Sequence, residues 1–171
     1  MYQPRPGDYG LTRIPGVLGW LIRLGQALTG DASRYTHAFV VLPGDLIVEA
    51  MPSGARVAPL ALRAEDWPLA YSHHDLTPKQ RQAICSAALS FVGRGYSFAN
   101  YVSLALLGLG LKPAWLRRHV ADSGRMICSQ LVDEAYRLAG VHLFDDGRAP
   151  GDVTPGDLAH VGLILNVPLE K

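Results

Sequence analysis

The amino-acid sequence predicts an α+β fold in which an antiparallel sheet packs against helices. Three features carry that prediction. β-Branched and aromatic residues alternate in the first third, turn residues separate those runs, and capped stretches of helical spacing follow in the second half.

In chain order, Val17 to Leu28 has mostly apolar spacing and reads as a short helix ended near Gly30. Thr36-His37-Ala38-Phe39-Val40-Val41-Leu42 then reads as a strand. Pro43-Gly44-Asp45 is turn chemistry, Leu46-Ile47-Val48-Glu49-Ala50 a second strand, and Gly54 to Leu60 a third, giving an antiparallel meander. Thr77-Pro78-Lys79-Gln80 opens a helix, with Thr77 as N-cap, Pro78 in the first helical position and Gln80 closing a capping box. Ala83, Ile84, Ala87, Ala88 and Phe91 recur at helical spacing, and Gly93 stops the run. A further helix begins near Met126-Ile127-Cys128, carries Leu131, Val132, Ala135 and Leu138 on one broad face, and ends at Gly140. Asp157 to Leu165 reads as a last strand.

With 171 residues the chain fits one domain, residues 1–171, interrupted by an apolar insertion around 100–120. A net charge of +1 with scattered Lys and Arg gives no footprint for nucleic acid. The longest apolar stretch, Tyr101 to Leu111, holds about eleven residues where a membrane-spanning helix needs roughly 20. It suits peripheral contact with a lipid surface better than a span, and a core helix or hairpin better still. Met1 to Asp8 lacks the basic and apolar segments of a signal peptide, so the expected location as synthesised is the cytoplasm. Action on a cell wall would then require delivery by a phage particle or a secretion machine.

The chain holds two cysteines, too few for a disulfide scaffold, and no C-x-x-C or H-x-x-x-H spacing for structural zinc. Both sit in an Ile-Cys-Ser triplet, so position must separate them. Cys85 lies well inside its helix beside Ile84 and Ala88, where a thiol behaves as a small hydrophobe. Cys128 falls at a helix start, after Asp122-Ser123-Gly124-Arg125. There the dipole and unpaired backbone N–H groups favour a thiolate, and the same N–H groups can hold an oxyanion once it attacks a carbonyl. The plainer alternative is that Cys128 only fills the seam between helix and sheet.

A nucleophilic cysteine needs a base. Among the six histidines, His37 opens an alternating strand, with Phe39 and Val41 pointing its way. If the hairpin turns through Pro43, Gly44 and Asp45, Phe39 pairs with Glu49, and His37 and Glu49 become diagonal neighbours on one face. A carboxylate there would fix the imidazole tautomer and stabilise the imidazolium. A two-residue turn would instead place them on opposite faces. His73-His74-Asp75 is a weak metal motif, because adjacent strand histidines point to opposite faces, and no metal or other cofactor is expected.

Thr36-His37-Ala38-Phe39-Val40-Val41, then Ile47-Val48-Glu49-Ala50, and far downstream Cys128-Ser129-Gln130-Leu131-Val132-Asp133-Glu134-Ala135-Tyr136 resemble the permuted NlpC-type, YiiX-like enzymes of the papain-like superfamily. There the histidine strands precede the cysteine helix. Pro6-Gly7-Asp8 and Gly93-Arg94-Gly95-Tyr96 add to the likeness, which runs over roughly residues 5 to 160. It implies a papain-like antiparallel sheet or small barrel packed against helices. Cys128 would be the nucleophile, His37 the base and Glu49 the orienting member, with Tyr96 and Ser129 as substrate-binding residues. Pro155-Gly156-Asp157-Leu158-Ala159-His160 resembles the histidine strand of the unpermuted enzymes, which makes His160 a rival base.

Such a site supports acyl transfer. The resemblance implies a cysteine hydrolase or acyltransferase acting on amide or related acyl bonds, with cell-wall (peptidoglycan) peptides as the leading substrate and acyl lipids as the alternative. The competing class is a papain-like binding or assembly module with an inert Cys128. Oligomeric state is not legible in the sequence.

Overall fold

The computed structural model describes residues 2–16, 19, 20, 23, 26, 27, 33–66, 68–95, 127–161 and, for the backbone, 163–166. The apolar insertion around 100–120 and Tyr96 lie outside them. The segment read as a helix from 17 to 28 does so in part, and Gly19, Trp20, Arg23, Gln26 and Ala27 within it are helical.

Six strands build one sheet: β1 Tyr9–Thr12, β2 His37–Leu42, β3 Leu46–Met51, β4 Gly54–Pro59, β5 Ala70–His73 and β6 Leu163–Asn166. Their spatial order is β4-β3-β2-β1-β5-β6, and every neighbouring pair is antiparallel. Helices α1 Pro78–Ser90, α2 Cys128–Leu138 and α3 Pro155–His160 are bounded within the described residues, with a 3-10 turn, Leu60–Arg63, after β4. The fold is therefore α+β. The sheet is open rather than a small barrel: among the described residues β4 and β6 stand at its two ends and do not pair.

The hairpin from β2 to β3 turns through Pro43, Gly44 and Asp45, as a three-residue loop requires. Gly44 and Asp45 both hold positive φ, 75° and 55°, which glycine adopts freely and aspartate tolerates. Leu42 consequently pairs with Leu46 and Phe39 with Glu49. β2 is buried along its whole length, so it is the central strand of the site's half of the sheet. On one side Ala38, Val40 and Val48 meet Ile84, Cys85 and Ala88 of α1 and Leu131, Val132, Ala135 and Tyr136 of α2. On the other, Phe39, Val41 and Ile47 pack with Ala58, Leu69 and Tyr71.

The caps of α1 match the sequence: Thr77 Oγ1 accepts from the Gln80 N–H at 3.3 Å and Gln80 Oε1 from the Thr77 N–H at 2.9 Å. Three elements depart from expectation, the first being β1, a strand at Tyr9–Thr12 that the sequence reading does not include. Residues 157–160 are helical, not extended, because Thr154-Pro155-Gly156-Asp157 forms a second capping box, and of the described residues in this run only 163–166 join the sheet. β5 was not anticipated: its four residues include Ser72 and His73, which hide the alternation, and it is held by pairing with both β1 and β6. Among the described residues no helix is long and apolar enough to cross a membrane.

Candidate active site

Two element starts bring the thiol and the imidazole together. Ile127 is extended, φ −95° and ψ 161°, and the Gln130 side chain accepts from its N–H at 3.5 Å, so α2 begins with Cys128 as its first helical residue. His37 is the first residue of β2. Both side chains are buried.

His37 Nε2 lies 2.9 Å from Glu49 Oε2, the diagonal neighbour set by the hairpin register. A carboxylate can only accept, so Nε2 carries the proton and Nδ1 is left for another partner. Nδ1 is buried and has no short, well-aligned hydrogen bond. Cys128 nevertheless acts on the ring as a hydrogen-bond and charge partner, ahead of Glu49 in its effect on the imidazole. Burial by itself would lower the His37 pKa. The Cys128 and then Glu49 interactions outweigh it and raise the value to about 9.

Glu49 is fully buried and still ionised. Burial pushes its pKa up, but the hydrogen bond and charge of His37, then Arg56 and Arg63, bring it down to about 2. Arg56 donates to Oε1 from Nε (3.0 Å) and Nη2 (2.8 Å). Arg63 donates to Oε2 from Nε (3.0 Å) and Nη2 (2.6 Å). Sequence reasoning missed both arginines. Arg56 had a signal, since a two-residue turn at Pro52-Ser53 places it directly across from Glu49, an opposite-charge cross-strand pair. Arg63 had none, because it arrives from a 3-10 turn that no periodicity marks.

The other named residues fall elsewhere. The Ser129 hydroxyl is buried and donates to the Val153 carbonyl at 2.6 Å, tying α2 to the segment before α3. Cys85 donates to the Val41 carbonyl at 3.6 Å, and burial raises its pKa, which keeps it a thiol. His160 ends α3 and is exposed, whereas His37 and Glu49 are buried. His74 sits between the Tyr9 and Tyr136 rings, and His73 faces the Tyr2 hydroxyl. Neither cysteine forms a disulfide.

An open antiparallel sheet with the histidine strand ahead of the cysteine helix defines a protein of YiiX-like fold. Among solved structures, the metalloprotein YiiX of Escherichia coli O157:H7 is similar over 99% of each chain, with a TM-score of 0.69 and 17% identity. No family model matches the sequence, and neither does any curated protein.

Proposed function

We propose that the chain is a cysteine hydrolase or acyltransferase of the permuted papain-like type, a single domain in which Cys128 is the nucleophile, His37 the base and Glu49 the residue that orients it. The observation that carries this reading is one buried line of groups: a thiol at a helix start, an imidazole beside it, and an ionised carboxylate on the imidazole's far nitrogen. In the reaction the Cys128 thiolate attacks a carbonyl carbon, and the N–H groups at the start of α2 receive the resulting oxyanion. The tetrahedral adduct collapses as His37 gives its Nδ1 proton to the leaving amine or alcohol. Water, deprotonated by the same nitrogen, then releases the acyl group and restores the thiol; another acceptor in place of water makes the enzyme a transferase. Amide bonds of cell-wall peptides are the leading substrate and acyl lipids the second.

The solved neighbour is described as a metalloprotein. The residues here do not fit a metal site: no group of three His, Cys, Asp or Glu is arranged for one among the described residues. His37 Nε2 and both Glu49 oxygens are taken by hydrogen bonds, and two guanidinium groups beside Glu49 would repel a divalent cation.

The test is the rate of Cys128 alkylation by iodoacetamide against pH, in wild type and His37→Ala, with labelled sites mapped by mass spectrometry. Fast labelling below about pH 7, lost in the variant, is the expected result for a thiolate held by His37. Slow labelling near the unperturbed cysteine pKa of about 8.5, equal in both proteins, would leave a binding or assembly module as the reading. With an activated thiol in hand, wall peptides and acyl lipids are assayed side by side.

A further inference from the structure

The arginine pair takes part in no step of the proposed reaction, yet it stands where the reaction's charges are set. Arg56 comes from β4 and Arg63 from the 3-10 turn after it, and each presents two N–H groups to a different oxygen of Glu49. Arg63 shares Oε2 with His37 Nε2, so the oxygen that orients the imidazole is the one Arg63 fixes. Arg63 is itself held by Asp66, whose Oδ2 accepts from Nη1 at 3.2 Å. Its side chain is only 12% exposed, whereas Arg56 is 47% exposed.

Among the described residues, the charged or titratable groups around Glu49 are His37 from β2, Arg56 from β4 and Arg63 from the turn. Asp66 stands behind Arg63, and Cys128 of α2 behind His37. With the thiol ionised and the imidazole protonated, three anions face three cations. Without the guanidinium groups, a buried carboxylate and a buried thiolate would share one imidazolium, and proton uptake would relieve the excess charge.

We propose that Arg56 and Arg63 are positioning residues of this site, a guanidinium clamp that keeps Glu49 ionised and aimed at His37, so that the imidazolium facing Cys128 keeps its counterion in mildly acidic solution. The clamp rests on the proposed thiol chemistry, and its test separates the two. The acid limb of Cys128 alkylation by iodoacetamide is measured for wild type, Arg56→Gln, Arg56→Gln/Arg63→Gln, Arg63→Lys and His37→Ala, with thermal unfolding followed for each protein.

In the double glutamine variant Glu49 takes up a proton more readily, and the acid-limb midpoint moves up by about one pH unit or more, a tenfold loss of labelling rate on the acid side. Arg56→Gln moves it the same way by less, and carries the test alone if the double variant does not fold. Arg63→Lys, which keeps the charge, stays near wild type. Acid limbs of Arg56→Gln and the double variant that overlay wild type, while His37→Ala differs, overturn the clamp and leave the dyad standing. A lysine variant that shifts as far as the double glutamine variant overturns the electrostatic role. If His37→Ala itself overlays wild type, the dyad has failed and the clamp falls with it.

Discussion

A carboxylate buried alone in protein takes up a proton, whereas Glu49 is held ionised because nitrogens of His37, Arg56 and Arg63 donate to it. Glu49→Gln removes that charge but keeps the shape. The amide still accepts from His37 weakly, and two guanidinium groups lose their counterion. Labelling of Cys128 near pH 6.5 falls once the imidazolium's pKa drops below that pH, and His37 titration followed by NMR moves down in the same variant. An unmoved His37 titration would show that the carboxylate does not set the ring's charge. Cys85 is the internal control: its thiol faces the Val41 carbonyl in the core, so Cys85→Ala leaves the Cys128 profile in place.

Elements, rather than single residues, decide whether His37 and Glu49 meet. The three-residue turn fixes the β2–β3 register, and Gly10 of β1 protects it from the other side. A Cβ at Gly10 would stand 2.1 Å from Phe39 Cζ, and Phe39 is the residue paired with Glu49. Gly10→Ala therefore forces the ring away and destabilises the fold by about 1–3 kcal/mol, the usual penalty of overpacking; chemical unfolding measures it. A loss under about 0.5 kcal/mol, the range of surface substitutions, would mean the ring has room to turn. Thr77→Ala, which opens the exposed α1 capping box and removes no contact of His37, Glu49 or Cys128, costs about 1 kcal/mol and leaves alkylation unchanged. Turn length, alternation and caps were all readable along the chain, and they delivered β2, β3, β4, α1 and α2. α3 was misread because the apolar run from Leu158 to Leu165 masked the Thr154 cap, and Arg63 was beyond reach because a 3-10 turn carries no period. Tertiary pairing alone explains β5.

At the scale of the whole molecule, residues 37, 49, 56, 63 and 128 are gathered from five elements, so the site's ionisation is coupled to folding itself. Glu49 has a folded pKa of about 2 against an ordinary 4.5. Its contribution to stability is present above pH 4.5, where the unfolded chain is also ionised, and is lost as pH falls through about 2. His37 runs the other way. Its folded pKa of about 9 exceeds the ordinary 6.5, so its contribution is complete below pH 6.5 and is lost as pH rises through 9. These two groups together favour the native state most between pH 4.5 and 6.5. Urea unfolding across pH 2 to 10 should show both shoulders, with the acid one flattened in Glu49→Gln and the alkaline one in His37→Gln. The two variants separate the arms because each removes one titration and leaves the backbone pairing in place. A His37→Gln curve that declines on the alkaline side as steeply as wild type would assign that loss to other groups, and would remove the thermodynamic support for an imidazolium held in the folded protein.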